Sequence, residues 1–312
     1  MLPPKIFIKK HLAKIRQSFD KRLIRNRMGA EYEHIHPYWR HLKIESIGNG
    51  SSRIFFNGRQ AAESKPVSGL KSSLHPRVVL FGSGPSINGM DLSRVQDDEA
   101  VFVNGAIRLR ERIKTKPLMN MIMDRLFVDY YPELLFRFVK PGDNLFLSFG
   151  SLDMILRKDA SFLKDKNVYV CPNVMEPYMS PKRRFSDLDK TKIVVSDDES
   201  TAFSFDAEYG FYDGGTVITW AVQLAYYLNA ADTFLLGVDL TSSTVSHHFY
   251  DRKKDLFFVT SAKLEKDKII NFLTLAAEIF RKNGRRISNC SDITLVPYEI
   301  IPYSEKFKTA RQ

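Results

Sequence analysis

The chain has 312 residues, of which 44% are hydrophobic and 27% are charged, so we expect one large or two modest cores. Its net charge is +11, yet residues 1–27 hold nine Lys and Arg against one acid, a net +8. Charge gathered at one end argues against a surface that wraps nucleic acid, and it indicates a tethering element.

The cysteines and the apolar runs set further limits. Cys171 and Cys290 lie far apart without Cys-x-x-Cys spacing, so we expect reduced core thiols, with no disulfide framework and no zinc site. No apolar run approaches the ~20 residues of a membrane helix, and the amino terminus lacks the pattern of a secretory signal. The expected location is the cytoplasm, with peripheral association on the inner face of the inner membrane.

The first predicted element is a cationic amphipathic helix over residues 5–27. Its apolar side chains recur mostly every three or four residues, with basic residues between them. Such a helix can lie on an anionic membrane surface, or it can pack on its own domain with a solvated charged face. A polar linker over 58–76 then predicts a boundary near 70–76, which divides the chain into residues 1–75 and 76–312.

Beyond the boundary, short apolar runs alternate with helical patterns. Strands are predicted at 77–82, 100–105, 117–124, 144–149, 167–172, 232–240 and 286–291, and helices at 216–230 and 266–284. This alternation predicts an α/β fold with a Rossmann-like, doubly wound and mostly parallel sheet, preceded by a basic helical extension. Ligands of such sheets bind beyond the carboxyl ends of the strands, so candidate residues are sought there.

A glycine-rich turn follows the first strand of this sheet. Glycines let backbone N–H groups approach an anion, and a following helix would add a favourable dipole. The turn is not a Walker A loop, because no Gly-Lys-Ser/Thr follows, and Ile87 stands where a dinucleotide motif has its third glycine. A tight turn without a ligand is the alternative. The candidate substrate-binding residues are Gly82, Ser83, Gly84, Pro85 and Ser86.

Polar residues also end the next two strands. Asn104 offers both a donor and an acceptor to a base or a sugar, although such a residue often only shapes a turn. Asp124 leaves an apolar strand in the run MIMDR, and a carboxylate there is solvated, caps a helix or is functional.

A second turn and a cluster of titratable groups complete the candidates. Thr216 is the expected N-cap of the helix that starts after Gly214 and Gly215, which makes a second helix amino terminus facing the ligand edge. The strand behind that helix ends in Gly-Val-Asp-Leu-Thr, and titratable residues follow closely. The candidates in this part of the chain are Asp239, Thr241, His247, His248, Tyr250 and Asp251.

These segments together resemble a known family. The runs GSGPS, VNG, MD, GGT, GVDLT, HFYD and IIPY are similar to those of the lipopolysaccharide inner-core transferases that add a third Kdo (3-deoxy-D-manno-octulosonic acid). They are more remotely similar to bacterial CMP-sialic-acid-dependent sialyltransferases, and the resemblance covers residues 77–304. One departure is that the segment 256–268 lacks the histidine base that the sialyltransferases carry there.

The resemblance implies a GT-A-like, sialyltransferase-type domain over residues 76–312 that uses a CMP-activated 2-keto sugar acid and no cofactor. It places the loop 82–86 along CMP, Asn104 near the nucleotide or sugar, and residues 214–216 near cytidine or the donor carboxylate. The expected reaction is inverting, metal-independent transfer of Kdo from CMP-Kdo to a Kdo residue of an anionic lipid-linked saccharide. The candidate bases are His248, Asp251, Asp239 and Asp124, and Tyr250 is a further catalytic candidate.

Two alternatives remain open at this point, the first within the glycosyltransferase class and the second in another enzyme class. One is a CMP-sialic-acid-dependent sialyltransferase of surface glycans, and the other is a pyrophosphokinase-like enzyme that shares the Gly-Pro-Ser loop. Asp187 and Asp189 match the Asp-x-Asp motif by which many glycosyltransferases bind a metal ion, but they lie in a charged stretch without a preceding strand. We therefore predict that this pair is part of a surface loop and that no metal is bound.

Overall fold

The structure is a computed structural model, and it describes residues 17–72, 75–240 and 266–309. Parallel strands form the centre of the fold. They are β3 (Arg59–Ser64), β4 (Arg77–Phe81), β5 (Ala100–Val103), β6 (Met119–Ile122), β7 (Asn144–Leu147), β8 (Asn167–Val170), β11 (Asp232–Leu236) and β12 (Arg286–Asn289). Two further strands, β1 (Leu42–Gly48) and β2 (Ser51–Phe56), join the same sheet, while β9 (Ile193–Val195) and β10 (Ala202–Ser204) pair separately.

The order of the large sheet is β1-β2-β3-β8-β7-β6-β5-β4-β11-β12. Neighbouring strands from β3 to β12 run parallel, whereas β1–β2 and β2–β3 are antiparallel. The predicted α/β fold with a mostly parallel sheet is therefore confirmed. The hairpins β1–β3 were not predicted, and they attach at the β8 edge, where Ser64 pairs with Val168.

Helices cover both faces of the sheet. The described helices are α1 (residues 17–28), α2 (Arg125–Tyr130), α3 (Pro132–Phe138), α4 (Phe149–Lys158), α5 (Val217–Tyr227) and α6 (Lys266–Lys282). Along β4, Val78 and Leu80 belong to the core under α5 and α6, while Val79 and Phe81 belong to the core on the other face. This alternation is the two-residue period of a strand buried on both sides, which explains its continuous apolar sequence.

The amino-terminal part is joined to the same structure. Residues 42–64 lie in the large sheet, so the sheet is continuous across the predicted boundary near 70–76. In α1, Ile24 is fully buried in the core, and Asp20 accepts two hydrogen bonds from Arg40 (2.7 and 3.0 Å), whereas Phe19 is 62% exposed. The described end of the predicted amphipathic helix thus packs on the domain, and residues 5–16 lie outside the described part.

The thiols match their prediction. Cys171 and Cys290 are both free and buried, and burial raises the pKa of the Cys290 thiol to about 12. Neither thiol is therefore poised for nucleophilic chemistry near neutral pH.

Candidate active site at the carboxyl ends of the strands

The predicted polar residues meet at one edge of the sheet. Since β11, β4, β5 and β6 are parallel neighbours, their carboxyl ends lie side by side, about 4.8 Å apart per strand. The loop 82–86, Asn104, Asp124 and Asp239 follow these four ends directly. The topology thus brings together candidates that are far apart in sequence.

The loop 82–86 is bound tightly to the end of β11. The N–H groups of Gly82 and Gly84 donate to the carbonyls of Leu236 and Gly237, each at 2.8 Å. A Cβ placed on Gly84 would lie 2.5 Å from Cγ of Asp239 and 2.7 Å from the carbonyl oxygen of Gly237. Real Cβ atoms do not tolerate such distances, so glycine is required here by the neighbouring backbone and carboxylate.

This geometry corrects the predicted phosphate cradle. The N–H of Ser86 donates to Oδ2 of Asp239 at 2.8 Å, its hydroxyl donates to Oδ1, and Pro85 has no N–H. The predicted helix is a five-residue 3₁₀ turn, Pro85–Gly89. The N–H groups of Gly82, Gly84 and Ser86 are therefore engaged within the protein, and an anion cannot take them in this arrangement.

In the structure, Asp239 holds the loop 82–86 in place by accepting hydrogen bonds from Ser86. It is 3% exposed, and both carboxylate oxygens accept hydrogen bonds from Ser86. Burial raises the pKa of the Asp239 carboxyl, and its hydrogen bonds with Ser86 and Ser291 act in the opposite direction. A carboxylate with both oxygens occupied is poorly placed to accept a proton from a substrate, so we rank Asp239 below Asp124 as a base.

Asn104 ties the ends of β5 and β6 together. Its Oδ1 accepts hydrogen bonds from the N–H groups of Met123 (3.1 Å) and Asp124 (3.3 Å). Its backbone lies in the left-handed region with φ +45°, which Asn tolerates better than most residues. Asn104 therefore has a structural role at the candidate site, whatever it does for a ligand.

Asp124 combines a capping contact with a perturbed carboxyl. Its Oδ1 accepts a hydrogen bond from the N–H of Leu126 at 2.7 Å, which makes it the N-cap of α2. Burial raises the pKa of this carboxyl above its ordinary value of 3.8, although the hydrogen bonds and the nearby Arg125 act in the opposite direction. The residue remains partly exposed, so a substrate hydroxyl can reach it.

The turn 214–216 is also largely satisfied internally. The N–H of Gly214 donates to Oγ1 of Thr219 (3.1 Å), and the N–H of Gly215 donates to Oδ1 of Asp213 (2.9 Å). Thr216 is the N-cap residue of α5, as predicted, but its side chain makes no capping hydrogen bond. A Cβ on Gly214 would lie 2.7 Å from Cγ of Phe272, so close packing against α6 accounts for that glycine.

Thr241, His247, His248, Tyr250 and Asp251 lie outside the described residues. The described chain ends at Leu240 beside the site and resumes at Lys266.

Sequence reasoning missed one residue at this edge. Arg125 follows Asp124, and its Nε is buried without a hydrogen-bond partner. Its Cβ and Cδ lie 3.7 and 3.8 Å from the position that a Cβ on Gly150 would occupy, at the amino end of α4. The available signal was a basic residue directly after the Asp that ends a buried strand.

The Asp-x-Asp pair lies in a surface turn, as predicted. Asp187 and Asp189 are exposed, and they accept hydrogen bonds from the backbone N–H groups of Arg184 (2.8 Å) and Thr191 (3.0 Å). Within residues 17–72, 75–240 and 266–309, no three His, Cys, Asp or Glu side chains are grouped to hold a metal ion. Across the same ranges, every helix is too short or too polar to span a bilayer.

Two solved structures show partial similarity to this chain. The MAf glycosyltransferase of Magnetospirillum magneticum AMB-1 is 19% identical with a TM-score of 0.44, covering 72% of this chain and 33% of that protein. The sialyltransferase CstII of Campylobacter jejuni, solved with cytidine-5'-monophosphate, is 13% identical with a TM-score of 0.32, covering 77% of this chain and 89% of that one.

The sequence comparisons are more specific. A probable 3-deoxy-manno-octulosonic acid transferase of Salmonella typhimurium is 24% identical over 242 residues, covering 72% of this chain and 85% of its own length. A protein of the same description from Escherichia coli is 22% identical over 249 residues, covering 75% and 84%. The family described as 3-deoxy-D-manno-octulosonic acid transferase WaaZ matches residues 64–307, from the end of β3 to the last described turn. Because that match spans most of the chain and includes every candidate residue at the sheet edge, the chain belongs to the WaaZ family of Kdo transferases.

Proposed function

We propose that the protein transfers Kdo from CMP-Kdo to a hydroxyl group of a Kdo residue in the lipopolysaccharide inner core. Membership of the WaaZ family supports glycosyl transfer of this type. The proposed mechanism rests on Asp124, a partly buried carboxylate at the carboxyl end of β6, because burial raises the pKa of its carboxyl. A raised pKa suits a group that must accept a proton from a sugar hydroxyl.

The proposed chemistry is one inverting displacement. The acceptor oxygen forms a bond to the anomeric carbon, the bond from that carbon to the phosphate oxygen breaks, and the electron pair leaves with CMP. The hydroxyl proton passes to Asp124. The site must also stabilise charge on the leaving phosphate and on the oxocarbenium-like carbon.

The phosphate contacts are expected to come from groups other than the engaged N–H groups of the loop 82–86. That loop follows β4, and it is proposed to line the donor pocket because Asn104 and Asp239 follow the strands on either side of β4, which are β5 and β11. Residues 214–216 and the segment that contains Thr241, His248, Tyr250 and Asp251 are proposed as further substrate contacts.

We also propose that transfer needs no divalent ion. The Asp-x-Asp carboxylates are occupied by local turn contacts, and the local hydrogen bonds lower the pKa of each. Charge stabilisation would then come from protein groups.

The acceptor is proposed to be presented at a membrane surface. Residues 1–16 hold five Lys and Arg and no acids, and each basic residue near an anionic surface contributes roughly 1 kcal/mol of attraction. The described part of α1 is anchored to the domain through Ile24, so a charged segment in front of it would be held at a fixed point of the protein.

The test is a transfer assay with a Kdo-terminated acceptor in EDTA. CMP-Kdo should be used in preference to CMP-N-acetylneuraminate, and ATP should not react. Asp124→Asn should lower kcat at least about 100-fold, the lower range for loss of a general base, while Asp129→Asn on the exposed face of α2 should not. Because burial raises the folded pKa of Asp124, the rate should fall with decreasing pH at a midpoint above 3.8, and Asp124→Asn should lose that limb.

Three results would contradict the proposal. Preference for CMP-N-acetylneuraminate would make the protein a sialyltransferase, and loss of activity in EDTA restored by Mn²⁺ would return the Asp-x-Asp pair to the mechanism. Full activity of Asp124→Asn would exclude that carboxylate as the base.

A further inference from the structure

Arg125 has a buried hydrogen-bond donor that no described residue accepts. Its Nε is buried and has no hydrogen-bond partner among residues 17–72, 75–240 and 266–309, although its positive charge lies close enough to lower the pKa of the Asp124 and Asp153 carboxyls. The side chain as a whole is partly exposed, so a ligand can reach it. An unpaired cation in a partly desolvated position is unfavourable unless an anion binds there.

The neighbouring charges do not account for this arginine. Asp153, which lies within electrostatic range, accepts a hydrogen bond from Nε of Arg157 at 2.6 Å through Oδ2, while its buried Oδ1 lies 3.5 Å from Nε2 of His41 and accepts no hydrogen bond from the described residues, Arg125 included. Asp124 is engaged in capping α2. Burial and the nearby positive charges of Lys21 and Arg125 lower the pKa of His36, which favours its neutral form. Neither carboxylate accepts a hydrogen bond from Nε of Arg125, so this donor remains available at the sheet edge.

A second feature favours an anion at the same place. The ten-residue helix α4 begins beside Arg125, with Ser148 as N-cap and Gly150 in its first turn. The amino end of a helix attracts negative charge, and a planar guanidinium matches the two oxygens of a carboxylate. Arg125 also follows Asp124, so an anion bound there lies next to the proposed base.

We infer that Arg125 binds the carboxylate of a 2-keto sugar acid, an inference that rests on the proposed function. Kdo carries its carboxylate on the anomeric carbon. A contact between that group and Arg125 would therefore orient either the donor carbon that is attacked or the acceptor sugar that attacks. The donor and the acceptor both offer a sugar carboxylate, and the kinetic test below distinguishes between them.

The test compares a sugar acid with the same sugar whose charge is removed. Binding of a Kdo methyl glycoside and of its methyl ester is measured by calorimetry with the intact protein. Wild type should bind the acid at least tenfold tighter than the ester, and Arg125→Gln should reduce that ratio to within twofold without weakening CMP binding more than twofold. Arg137→Gln, whose arginine is 69% exposed and paired with Glu111, is the matched control and should keep the wild-type ratio.

Two outcomes with Arg125→Gln would overturn the inference. One is an unchanged ratio in Arg125→Gln, and the other is an equal loss of CMP binding, which would place the guanidinium on the phosphate. If Arg125→Gln does not fold, Arg125→Lys keeps the charge without the planar fork, and it should give an intermediate ratio. A wild-type ratio in Arg125→Lys would then overturn the inference.

Kinetics separate the two sources of the carboxylate. A rise in KM for CMP-Kdo alone assigns the contact to the donor, and a rise in KM for the Kdo-terminated acceptor alone assigns it to the acceptor. The binding comparison needs no turnover. Absence of Kdo transfer by wild type would defeat the proposed function, whereas an acid-to-ester ratio that depends on Arg125 would still support the carboxylate contact.

Discussion

The loop after β4 and the end of β6 lie two strands apart at the same edge of the sheet, and they differ in how their polar groups are used. In the loop, the N–H groups of Gly82, Gly84 and Ser86 all donate to the end of β11. At the end of β6, Nε of Arg125 is buried and has no hydrogen-bond partner among the described residues. These three loop N–H groups therefore all have acceptors within the protein, whereas Nε of Arg125 at the end of β6 has none among the described residues.

The difference shows what each kind of sequence signal reports. A glycine reports that something approaches the backbone closely, and here the approaching group is Gly237 together with the Asp239 carboxylate. An unpaired charge reports a group that still needs a partner. At this edge, the charged residue is therefore the better indication of ligand binding.

The largest expected effect is a loss of stability when the packing of the loop 82–86 is disrupted. Gly84→Ala would place Cβ 2.5 Å from Cγ of Asp239, so the free energy of unfolding should fall by about 2–3 kcal/mol, in the range for overpacking. Gly89→Ala, five residues later in open space, should change it by less than about 0.5 kcal/mol. Urea denaturation of the two variants measures the contrast. A Gly84→Ala protein of wild-type stability that fails to bind CMP would restore the phosphate role.

A smaller effect is expected from the link between β5 and β6. Asn104→Ala removes the acceptor of the Met123 and Asp124 N–H groups and leaves a strained φ of +45°, so stability should fall by about 1–2 kcal/mol. The transfer rate should fall about tenfold if a misplaced Asp124 costs ~1.4 kcal/mol of transition-state stabilisation. Asn104→Asp keeps the acceptor oxygen and should recover most of both losses. Equal damage by the two variants would show that the amide nitrogen contacts substrate.

The smallest effect at both regions is expected from removing residues 1–16. Unfolding stability and turnover of a short soluble acceptor should stay at wild-type values, because the strands whose ends form the candidate site all begin at Arg77 or later. Binding to anionic vesicles should fall, and salt should weaken vesicle binding of the intact protein, since surface attraction decays over a Debye length of ~8–10 Å. Vesicle sedimentation with and without salt measures this. Unchanged vesicle affinity would rule out the tether.

The truncation must end before α1 if a loss of vesicle binding is to be distinguished from a loss of stability. Removing residues 1–27 would also remove the fully buried Ile24 and the partner of Arg40, at a cost of roughly 2–5 kcal/mol for the core side chain alone. Loss of vesicle binding by that longer truncation would therefore not separate tethering from unfolding.

The sequence by itself determined the parallel centre of the sheet. Strands β4, β5 and β6 are apolar runs because both faces of a central parallel strand are covered, and such runs are visible without a structure. Strands β1–β3 were missed because they are partly exposed and polar, as in Arg59–Ser64, where only Ser64 is buried. The positions of Asn104, Asp124 and Asp239 at one edge also followed from the sequence, since parallel strands end on the same side.

Only the tertiary structure decided which partner each polar group takes. Asp239 accepts from the N–H of Ser86 across 153 residues of sequence, and the N–H groups of Gly82 and Gly84 donate to the carbonyls of Leu236 and Gly237. These contacts rank Asp239 lower as a base and engage three donors of the predicted phosphate loop. Nε of Arg125 is buried without a hydrogen-bond partner among the described residues, although Asp153 lies within electrostatic range of it. Hydrogen-bond partners depend on distances between strands and helices that local sequence does not encode, so the sequence could name the edge of the sheet but not which of its groups remain available to a ligand.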